Sequence, residues 1–483
     1  MKKLFGILGF SVIFFTFTNA QTYDLASKFK MLDRGLNGVA VDIKGEVTNL
    51  GTATLTSFDI HYQVDGGAIQ TTSISSLNLG TGEKHSFTHP VKFTPGTAGT
   101  LHKIMLWADQ INGSNADENT ENDLDSLYYM SNTGTGVSRT VLLEHVASVK
   151  DGNVPDGYAI IDQLMTANPG KLIPLNFQMW GIMVTFEATE IVNKIGAGTS
   201  TALIDRIKWP QYTKVNVPRA DWNARVTERI NTKTPVWIEL KKVNYNTNNS
   251  MVECEANFHF VDYVAGDIRV TCLVTEDFVH GEGQDYNQSN YYDNVSGHPF
   301  YHRGNPIITD MYHHYVVRSY LSADWGDWID KNMPGYHFIT KDTTVSVTFK
   351  PRVIPDNWNL NQMHVVVMVA YYTEDVNTLE VLNVAKKKLT TVSIEENSDE
   401  KEAIKVYPNP VNDFATVDFS LSSTEKVIVE VYNTLGEQVI LMNNGTYAPG
   451  DNYIMLNTSE LPSGAYLVRL TAGNHILTER FIK

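Results

Sequence analysis

Alternation of apolar and polar residues, the pattern of half-buried strands, dominates the first third of the chain. The alternation runs over residues 39–48 and again over residues 58–64, where the turn sequence Asp-Gly-Gly at 65–67 ends it. A further strand is predicted over residues 103–108. Short strands separated by turns predict a small β-sandwich over residues 21–136.

The pattern changes after residue 138, where apolar strands alternate with segments of helical periodicity. This alternation predicts a small α/β domain over residues 138–232. The predicted strands cover 140–146, 171–179 and 201–206, and the predicted helices cover 157–165, 186–195 and 221–230.

Residues 233–390 return to strand-like alternation, with about seven predicted strands that would form a second β-sandwich. A loop over residues 281–310 interrupts this sandwich, and loops of that length are usually functional or disordered. The acidic, apolar-poor segment 391–405 predicts a linker, and residues 406–483 predict a last β-rich module. We therefore expect a mostly β protein of several domains.

Composition and the N-terminal residues restrict the class of partner and the cellular location that can be expected for this protein. The formal net charge of −16 argues against a nucleic acid partner, because phosphate binding needs a basic surface. Residues 1–20 combine two lysines, an apolar run over 4–17 and a small-residue end, which predicts a secretory signal peptide. The run is shorter than the ~20 residues of a spanning helix, and no later stretch is long and apolar enough. We predict an exported protein that does not span the membrane.

Cys254 and Cys272 are the two cysteines of the chain. Both fall on the inward face of strands that are predicted to form a hairpin, and an oxidising compartment would permit a disulfide. In one hairpin register they are diagonal neighbours at ~7–8 Å, which is long for a bridge, whereas a longer turn would place them opposite each other. A disulfide and two buried thiols both stay open, and neither cysteine is predicted to be catalytic.

The sequence gives little support for metal or cofactor chemistry. The acidic stretch 115–125 lacks the ligand spacing of an EF-hand, so a solvated loop is favoured over a calcium site. Histidines gather at 280, 298, 302, 313 and 314, but the last two are neighbours on a predicted strand and point to opposite faces. No Gly-x-Ser-x-Gly elbow, P-loop or dinucleotide fingerprint is present. We predict no metal and no cofactor.

The loop over residues 281–310 is rich in tyrosine, asparagine, serine and glycine, a composition typical of adaptable recognition surfaces. Its side chains could bind a ligand, or they could cover the end of the sandwich and the neighbouring domain. The candidate binding residues are Tyr286, Tyr291, Tyr292, Tyr301, His302 and Arg303, together with Trp325 beyond the loop.

The last module carries Val-Tyr-Pro-Asn-Pro-Val at 406–411, Val-Glu-Val-Tyr-Asn-Thr-Leu-Gly at 429–436 and Leu-Pro-Ser-Gly-Ala-Tyr-Leu-Val-Arg-Leu at 461–470. With these motifs in this order, residues 406–483 resemble the C-terminal sorting domain of type IX secretion substrates. The resemblance implies export through the outer membrane, with the type IX secretion machinery as the partner of this module. The motif residues are Pro408, Pro410, Leu461, Pro462, Gly464 and Tyr466. The first module, in turn, resembles the immunoglobulin-like modules of exported bacterial proteins.

Residues 138–390 show a second resemblance. It is carried by Val-Leu-Leu-Glu at 141–144, by Thr-Ala-Leu-Ile-Asp-Arg at 201–206, and by Leu-Val-Thr-Glu-Asp at 273–277 with Tyr-His-His-Tyr-Val-Val-Arg at 312–318. Through these stretches the region resembles the outer-membrane-protein-28-related family, which joins a thioredoxin-like domain to a β-sandwich. The resemblance implies that architecture for the middle of the chain.

Typical members of that family continue the first strand with Cys-x-x-Cys-Pro. Here Asp151 and Val154 fall on the cysteine positions, and Pro155 keeps the proline. A carboxylate cannot form a mixed disulfide, because a thiolate is the nucleophile of the exchange. Ser200 falls on the position of the cis-proline of such folds, and serine strongly prefers a trans bond. The resemblance therefore implies a redox-inactive scaffold.

These expectations together predict a secreted or surface-attached, non-enzymatic protein that binds a protein, peptide or glycan, for example in adhesion. One alternative is a thiol–disulfide oxidoreductase that uses Cys254 and Cys272 in place of the missing pair. A second alternative is a hydrolase with an unrecognised site, and a third is a passive component of a surface layer.

Overall fold

The computed structural model describes residues 21–355, 357–392, 404–411, 414–421, 423–448, 450–473 and 475–483. The chain divides into two compact units, Met1–Ser393 and Ile394–Lys483. The predicted signal peptide and most of the predicted linker lie outside the described residues. Within the described ranges, no helix has the length and apolar character needed to cross a bilayer.

The first unit begins with a β-sandwich. One of its sheets has the strand order β1-β3-β6 and the other the order β2-β8-β7-β4-β5. Apolar side chains such as Leu25, Phe58 and Leu106 fill the space between the sheets. The strands are β1 (Leu25–Phe29), β2 (Arg34–Leu36), β3 (Lys44–Asn49), β4 (Phe58–Val64), β5 (Gln70–Ile74), β6 (Lys84–Thr88), β7 (Leu101–Asp109) and β8 (Asp125–Asn132).

Strands and helices alternate in the next stretch. The strands are β9 (Val137–Ser138), β10 (Val141–Ala147), β11 (Leu172–Gln178), β12 (Thr201–Ile204) and β13 (Asn216–Pro218), and the helices are α1 (Val154–Ala167), α2 (Phe186–Ile195) and α3 (Trp222–Ile230). β10 and β11 are parallel, whereas β12 runs antiparallel to both β10 and β13.

The helix ends follow from local chemistry. α1 begins at Val154 with a proline in its first turn, where the missing amide hydrogen of proline has no cost. At the start of α2, the Thr185 hydroxyl accepts a hydrogen bond from the Ala188 amide at 3.3 Å. Gly196 ends α2 in the left-handed conformation, with φ of 66°.

The remainder of the first unit is almost entirely β. Its strands are β14 (Lys233–Thr234), β15 (Val236–Asn246), β16 (Met251–Phe260), β17 (Val264–Glu276), β18 (Gln288–Ser289), β19 (Ile307–Ile308), β20 (Val316–Tyr320), β21 (Asp327–Trp328), β22 (Tyr336–Ile339), β23 (Thr343–Thr348), β24 (Arg352–Val353), β25 (Met363–Tyr372), β26 (Val381–Lys388) and β27 (Thr390–Val392).

A single sheet runs through both of these stretches, in the order β13-β12-β10-β11-β20-β17-β25-β26, with β21 and β22 also paired to β17. The junction is the parallel pair β11 and β20, where Asn176 lies opposite Val316. A second sheet, β23-β16-β15-β27, packs over β17 and β25. The α/β stretch therefore continues directly into the sandwich beside it.

The predicted hairpin that carries the two cysteines is wrong. β16 pairs with β15 and β23, whereas β17 pairs with β20 and β25, so Cys254 and Cys272 lie on facing sheets. The alternation of apolar residues fixes which face of a strand is buried, but it does not fix which strand is its neighbour. Both cysteines are free thiols buried in the shared core. Burial, together with the adjacent Cys254, raises the pKa of the Cys272 thiol well above its usual value.

The sandwich β1–β8 joins the rest of the first unit through polar and aromatic contacts. The Arg34 guanidinium lies 3.3 Å from the centre of the Tyr371 ring. The Thr133 amide donates a hydrogen bond to Asp262 at 3.0 Å, and the Tyr336 hydroxyl donates to the Tyr128 carbonyl at 3.0 Å.

The second unit is a β-sandwich with sheets β28-β29-β32 and β31-β30-β33-β34 around one apolar core. Its strands are β28 (Ile404–Tyr407), β29 (Phe414–Leu421), β30 (Glu425–Tyr432), β31 (Gln438–Tyr447), β32 (Gly450–Asn457), β33 (Ala465–Ala472) and β34 (His475–Ile482).

Candidate functional site

The turn between β10 and α1 contains Asp151, whose carboxylate is hydrogen-bonded through both oxygens. One carboxylate oxygen, Oδ1, accepts hydrogen bonds from the Asn153 amide at 2.9 Å and from its side-chain nitrogen at 3.2 Å. The other, Oδ2, accepts from the Thr199 hydroxyl at 2.8 Å and from the Ser200 hydroxyl at 2.7 Å. Val154, the first residue of α1, is fully buried. The structure thus brings Asp151, Val154 and Ser200 together at one turn.

Hydrogen bonds keep the Asp151 carboxylate charged. Partial burial alone would raise its pKa, but the donors from Asn153, Ser200 and Thr199 outweigh that effect and hold the pKa below the usual range. An ionised carboxylate with both oxygens occupied is a structural anchor, and it offers no thiolate for disulfide exchange.

The loop over residues 281–310 covers this turn. The Gln288 side-chain nitrogen donates to the carbonyl oxygens of Asp151 at 2.9 Å and of Ser148 at 3.3 Å. The loop backbone adds two further bonds, because the Ser289 amide donates to Val149 at 2.8 Å and the Tyr291 amide donates to Gly152 at 3.0 Å. A side chain at Gly152 would collide with the Tyr291 ring, since its Cβ would lie 2.4 Å away. The loop therefore supplies hydrogen-bond donors to the backbone carbonyl oxygens of the turn and packs against it.

Side chains of the loop also reach the first turn of α1. The Arg219 guanidinium donates to Asp156 at 2.9 Å and to the Tyr292 hydroxyl at 3.2 Å. His298 lies 3.3 Å from Asp156, and its ring stacks on Tyr292 with centres 4.3 Å apart. Burial raises the pKa of Tyr292. Tyr292 therefore belongs to the contact between the loop and α1, and it is not a freely exposed ring.

The other candidate binding residues occupy different environments. Tyr291 leaves 67% of its surface exposed and Tyr301 leaves 38%. The Tyr301 and His302 rings lie 3.8 Å apart, and Arg303 pairs with Asp310 at 3.0 Å. Tyr286 is half-buried, and its carbonyl oxygen lies 2.8 Å from His313.

Trp325 lies away from this group. Its ring contacts the edge of Tyr372 with centres 6.1 Å apart, and the Lys194 ammonium lies 4.9 Å from it. The structure therefore joins Tyr291 and Tyr292 to the Asp151 turn and places Trp325 in a separate aromatic contact.

Exposed apolar side chains next to the turn were missed by sequence reasoning. Trp180, Ile182 and Phe186 leave 51%, 62% and 73% of their surfaces exposed. The Lys150 ammonium lies 5.3 Å from the Trp180 ring centre. Trp180 and Ile182 lie between a predicted strand and a predicted helix, and no pattern in the sequence indicates that they are exposed. Gln288 was missed as well, because a single glutamine in a polar loop gives no signal of burial.

Two buried histidines lie beneath the turn. His145 is fully buried between the rings of Tyr158 and Trp222, and neither of its ring nitrogens has a hydrogen-bond partner among the described residues. Burial, with a smaller effect of Arg219, lowers its pKa to about 3. Burial also lowers the pKa of His313 to about 4. Both rings are neutral near neutral pH.

The remaining predicted features fall elsewhere. His280 bonds to the Met311 carbonyl at 3.0 Å, and His314 lies 3.9 Å from Asp277, so the clustered histidines serve separate contacts. In the acidic stretch, Asp117 accepts hydrogen bonds from the Leu25 and Asn119 amides at 2.7 Å. That stretch is therefore partly engaged with the backbone and is not a freely solvated loop.

A group with metal-ligand character occurs in the β1–β8 sandwich. Within the ranges that the structure describes, one group of three His, Cys, Asp or Glu side chains offers ligand atoms within 4.8 Å of one another, namely Asp59, His61 and Asp109. This group could not be predicted from the sequence, because its residues come from β4 and β7, which are distant in the chain.

The motif residues of the second unit lie between β28 and β29 and in the segment from the end of β32 to the start of β33. The Tyr466 hydroxyl donates to the Pro462 carbonyl at 2.7 Å, and the Tyr466 ring stacks on Phe481 with centres 5.4 Å apart. The amide of Gly464 bonds to the carbonyl of Lys483 at 3.1 Å, and Leu461 packs against the core. Pro408 and Pro410 lie on the segment between β28 and β29.

Three family models match separate parts of the chain, and none of the three covers residues 127–190. Residues 405–483 match the family model described as secretion system C-terminal sorting domain, and residues 24–126 match the model CARDB. Residues 191–393 match the family outer membrane protein Omp28. The predicted Omp28-related region and sorting domain are thereby confirmed, as is an immunoglobulin-like domain at the N-terminus of a mostly β chain. The Omp28 match and the sorting domain point to an exported protein at the cell surface or outer membrane.

Solved structures offer more distant similarity. HBP35 of Porphyromonas gingivalis is 15% identical, and the match covers 72% of this chain and 100% of that chain, with a TM-score of 0.42. The CARDB domain of the PF1109 protein from Pyrococcus furiosus is 19% identical and covers 23% of this chain and 94% of its own, with a TM-score of 0.20. No curated protein matches the chain.

Proposed function

We propose that the protein is a non-catalytic binding protein, exported by the type IX system and displayed at or released from the cell surface. The observation that carries the proposal is the hydrogen-bonded carboxylate of Asp151. It occupies the position at which a thiol–disulfide enzyme of this architecture needs a reactive thiolate. The sorting domain supports surface delivery, with the secretion machinery as its partner.

The proposal includes a thioredoxin-like scaffold within residues 138–232. Strand order supports it, because β13-β12-β10-β11 contains one parallel pair and two antiparallel ones. Helices α1 and α2 connect β10 to β11 and β11 to β12, and α3 follows β13. In this proposal the scaffold has a structural role, because it shares a sheet with the adjoining sandwich and holds the loop over residues 281–310 in place.

The alternative of an oxidoreductase that uses Cys254 and Cys272 is less well supported. Both thiols are buried in the core between two sheets, and burial raises the pKa of Cys272. A protonated, inaccessible thiol is a poor nucleophile.

We propose that the ligand, a protein, peptide or glycan, meets the surface around Tyr291 and Tyr301. Exposed tyrosine rings supply contact area with little loss of side-chain entropy. Tyr291 adjoins Gly152, and Lys150 and Trp180 extend the same surface. Tyr292 supports the surface through its bond to Arg219.

Redox inactivity is tested by reduction of insulin disulfides with dithiothreitol as the electron source. The wild-type chain should reduce insulin no faster than dithiothreitol alone, and so should a Cys254→Ala, Cys272→Ala variant. An Asp151→Cys, Val154→Cys variant tests whether the scaffold supports exchange once thiols are supplied. Catalysis by the wild-type chain at a rate well above the reagent would refute the proposed function.

Binding is tested on glycan and peptide arrays with the full chain. A Tyr291→Ala, Tyr301→Ala variant should lose array signals by about tenfold or more, as expected for exposed aromatic contact residues. Tyr453→Ala is the matched control, because Tyr453 is also 67% exposed but belongs to the sorting domain. Signals that persist in the double variant would reject this surface.

A further inference from the structure

The outer face of the sheet that contains β4 and β7 brings two carboxylates face to face. In the register of these antiparallel strands, Asp59 lies opposite Asp109 and His61 lies opposite Trp107. Phe58, Ile60 and Tyr62 point into the core, so the alternate residues Asp59 and His61 point outward. Regular strands hold all of these positions, so the arrangement is fixed by the sheet.

This pair of carboxylates has no Lys or Arg to neutralise it among the described residues. Like charges directly opposite each other on neighbouring strands are destabilising. Asp109 contacts the ring of His61, with 2.8 Å between Nε2 and Oδ1. A positive charge at this point would relieve the repulsion.

Contacts with Thr71 and Trp107 fix the His61 ring so that its Nε2 faces Asp109. Its Nδ1 lies 2.9 Å from the Thr71 hydroxyl, and its plane stacks on Trp107 at 20° with centres 5.2 Å apart. In the tautomer that carries its hydrogen on Nδ1, that nitrogen donates to Thr71, and a metal ion bound by Nε2 would replace the direct contact between Nε2 and Asp109. Metal-binding histidines are commonly fixed in this way by a bond from the other ring nitrogen.

We propose that Asp59, His61 and Asp109 form a binding site for a divalent transition-metal ion, of which zinc is the representative. One imidazole nitrogen and two carboxylate oxygens lie within 4.8 Å of one another, and such nitrogen and oxygen donors suit zinc and its neighbours. Calcium is disfavoured, because it takes oxygen ligands only. Three protein ligands on a half-exposed face leave coordination positions for water or for a donor from a partner.

Titration of the metal-free full chain with zinc chloride, followed by isothermal calorimetry, tests the site. Wild-type protein should show a saturable zinc site that His61→Gln and Asp109→Asn each weaken about tenfold or more. His85→Gln and Asp42→Asn are the controls, because they remove a histidine and an aspartate of the same domain outside the group. Equal zinc binding in wild type and both site variants would overturn the proposal, as would calcium binding in preference to zinc.

X-ray absorption of the zinc-loaded wild-type chain gives a test that needs no variant. One imidazole nitrogen with oxygen ligands at about 2.0–2.2 Å is the expected first shell. A first shell with several imidazoles or with sulfur would place the zinc elsewhere and would overturn the assignment.

Discussion

Asp151 accepts a hydrogen bond from the hydroxyl of Ser200 at 2.7 Å, although the two residues are 49 positions apart in the chain. The bond ties the turn before α1 to the residue before β12. Together with the bonds from Thr199 and Asn153, it fixes the Asp151 carboxylate in place just before α1.

Replacing Asp151 by alanine should destabilise the protein by about 1–3 kcal/mol, because it leaves several donors without their acceptor. Urea unfolding followed by circular dichroism measures the change. Asp310→Ala is the control, because this exposed aspartate pairs only at the surface with Arg303 and should change stability by less than about 0.5 kcal/mol. Equal effects of the two substitutions would contradict the anchoring role of Asp151.

The buried pair of Glu144 and Arg206 gives a second prediction. Both side chains are almost fully buried and make a bidentate contact, in which Arg206 Nε donates to Oε2 of Glu144 at 2.8 Å and Nη2 donates to Oε1. Glu144→Gln should cost about 3–5 kcal/mol, because the guanidinium keeps its buried charge without a counter-charge. Glu144→Leu combined with Arg206→Met should cost less than either single change, as measured in urea. A double variant that is no more stable than the single ones would show that the pair is not coupled in this way.

His145 should make the protein less stable in acid. Its folded pKa is lowered to about 3 by burial, whereas an unfolded histidine has a pKa near 6.5. The unfolded state therefore takes up a proton first, and stability falls as pH drops from about 6.5 toward 3. Between pH 7 and pH 5 this single group accounts for about 2 kcal/mol.

His145→Leu should remove that share of the pH dependence, so urea unfolding at pH 7 and pH 5 should differ by about 2 kcal/mol less than in wild type. The variant should still lose some stability in acid, because burial lowers the pKa of His313 to about 4 and this second histidine destabilises the folded state in the same direction. Parallel losses of stability in the two proteins would mean that His145 takes up its proton in the folded state.

Gln288 should control the loop over residues 281–310. Its fully buried amide is bonded to the carbonyl of Asp151, and its removal should loosen the neighbouring backbone bonds. In Gln288→Ala, we expect the amides of Ser289 and Tyr291 to exchange with deuterium about tenfold faster or more. Gln284→Ala is the control, because Gln284 lies on the exposed part of the same loop and bonds only to Lys150. Unchanged exchange in Gln288→Ala would show that the loop is held by its other contacts.

Elements whose ends carry a local chemical signal were predictable from the sequence. Helix α2 was predicted over 186–195 and occurs at Phe186–Ile195, because Thr185 caps its start and Gly196 ends it. β4 likewise occurs at Phe58–Val64, followed by the predicted turn. In contrast, the strand predicted over 39–48 begins only at Lys44, because the residues before it pair only through an isolated bridge between Val41 and Phe93.

Features that depend on which elements become neighbours were not predictable. The sequence singles out Asp151, but not its hydrogen-bond donors. Thr199 and Ser200 reach Asp151 because they precede β12, which pairs with β10, and Gln288 reaches its carbonyl oxygen from a loop that is distant in the chain. Trp325 follows β20 in the sequence, yet its place is set by the pairing of β17 with β25, which carries Tyr372 to its side. Local pattern holds no information about these pairings.

The pairing of β11 with β20 has a consequence for how the protein can be divided. β11 has β10 on one side and β20 on the other, so a fragment ending at residue 232 would present a bare strand edge that invites self-association. Domain boundaries for expression should therefore not be placed between residues 138–232 and 233–390, because each piece would leave a strand edge of the shared sheet without its partner.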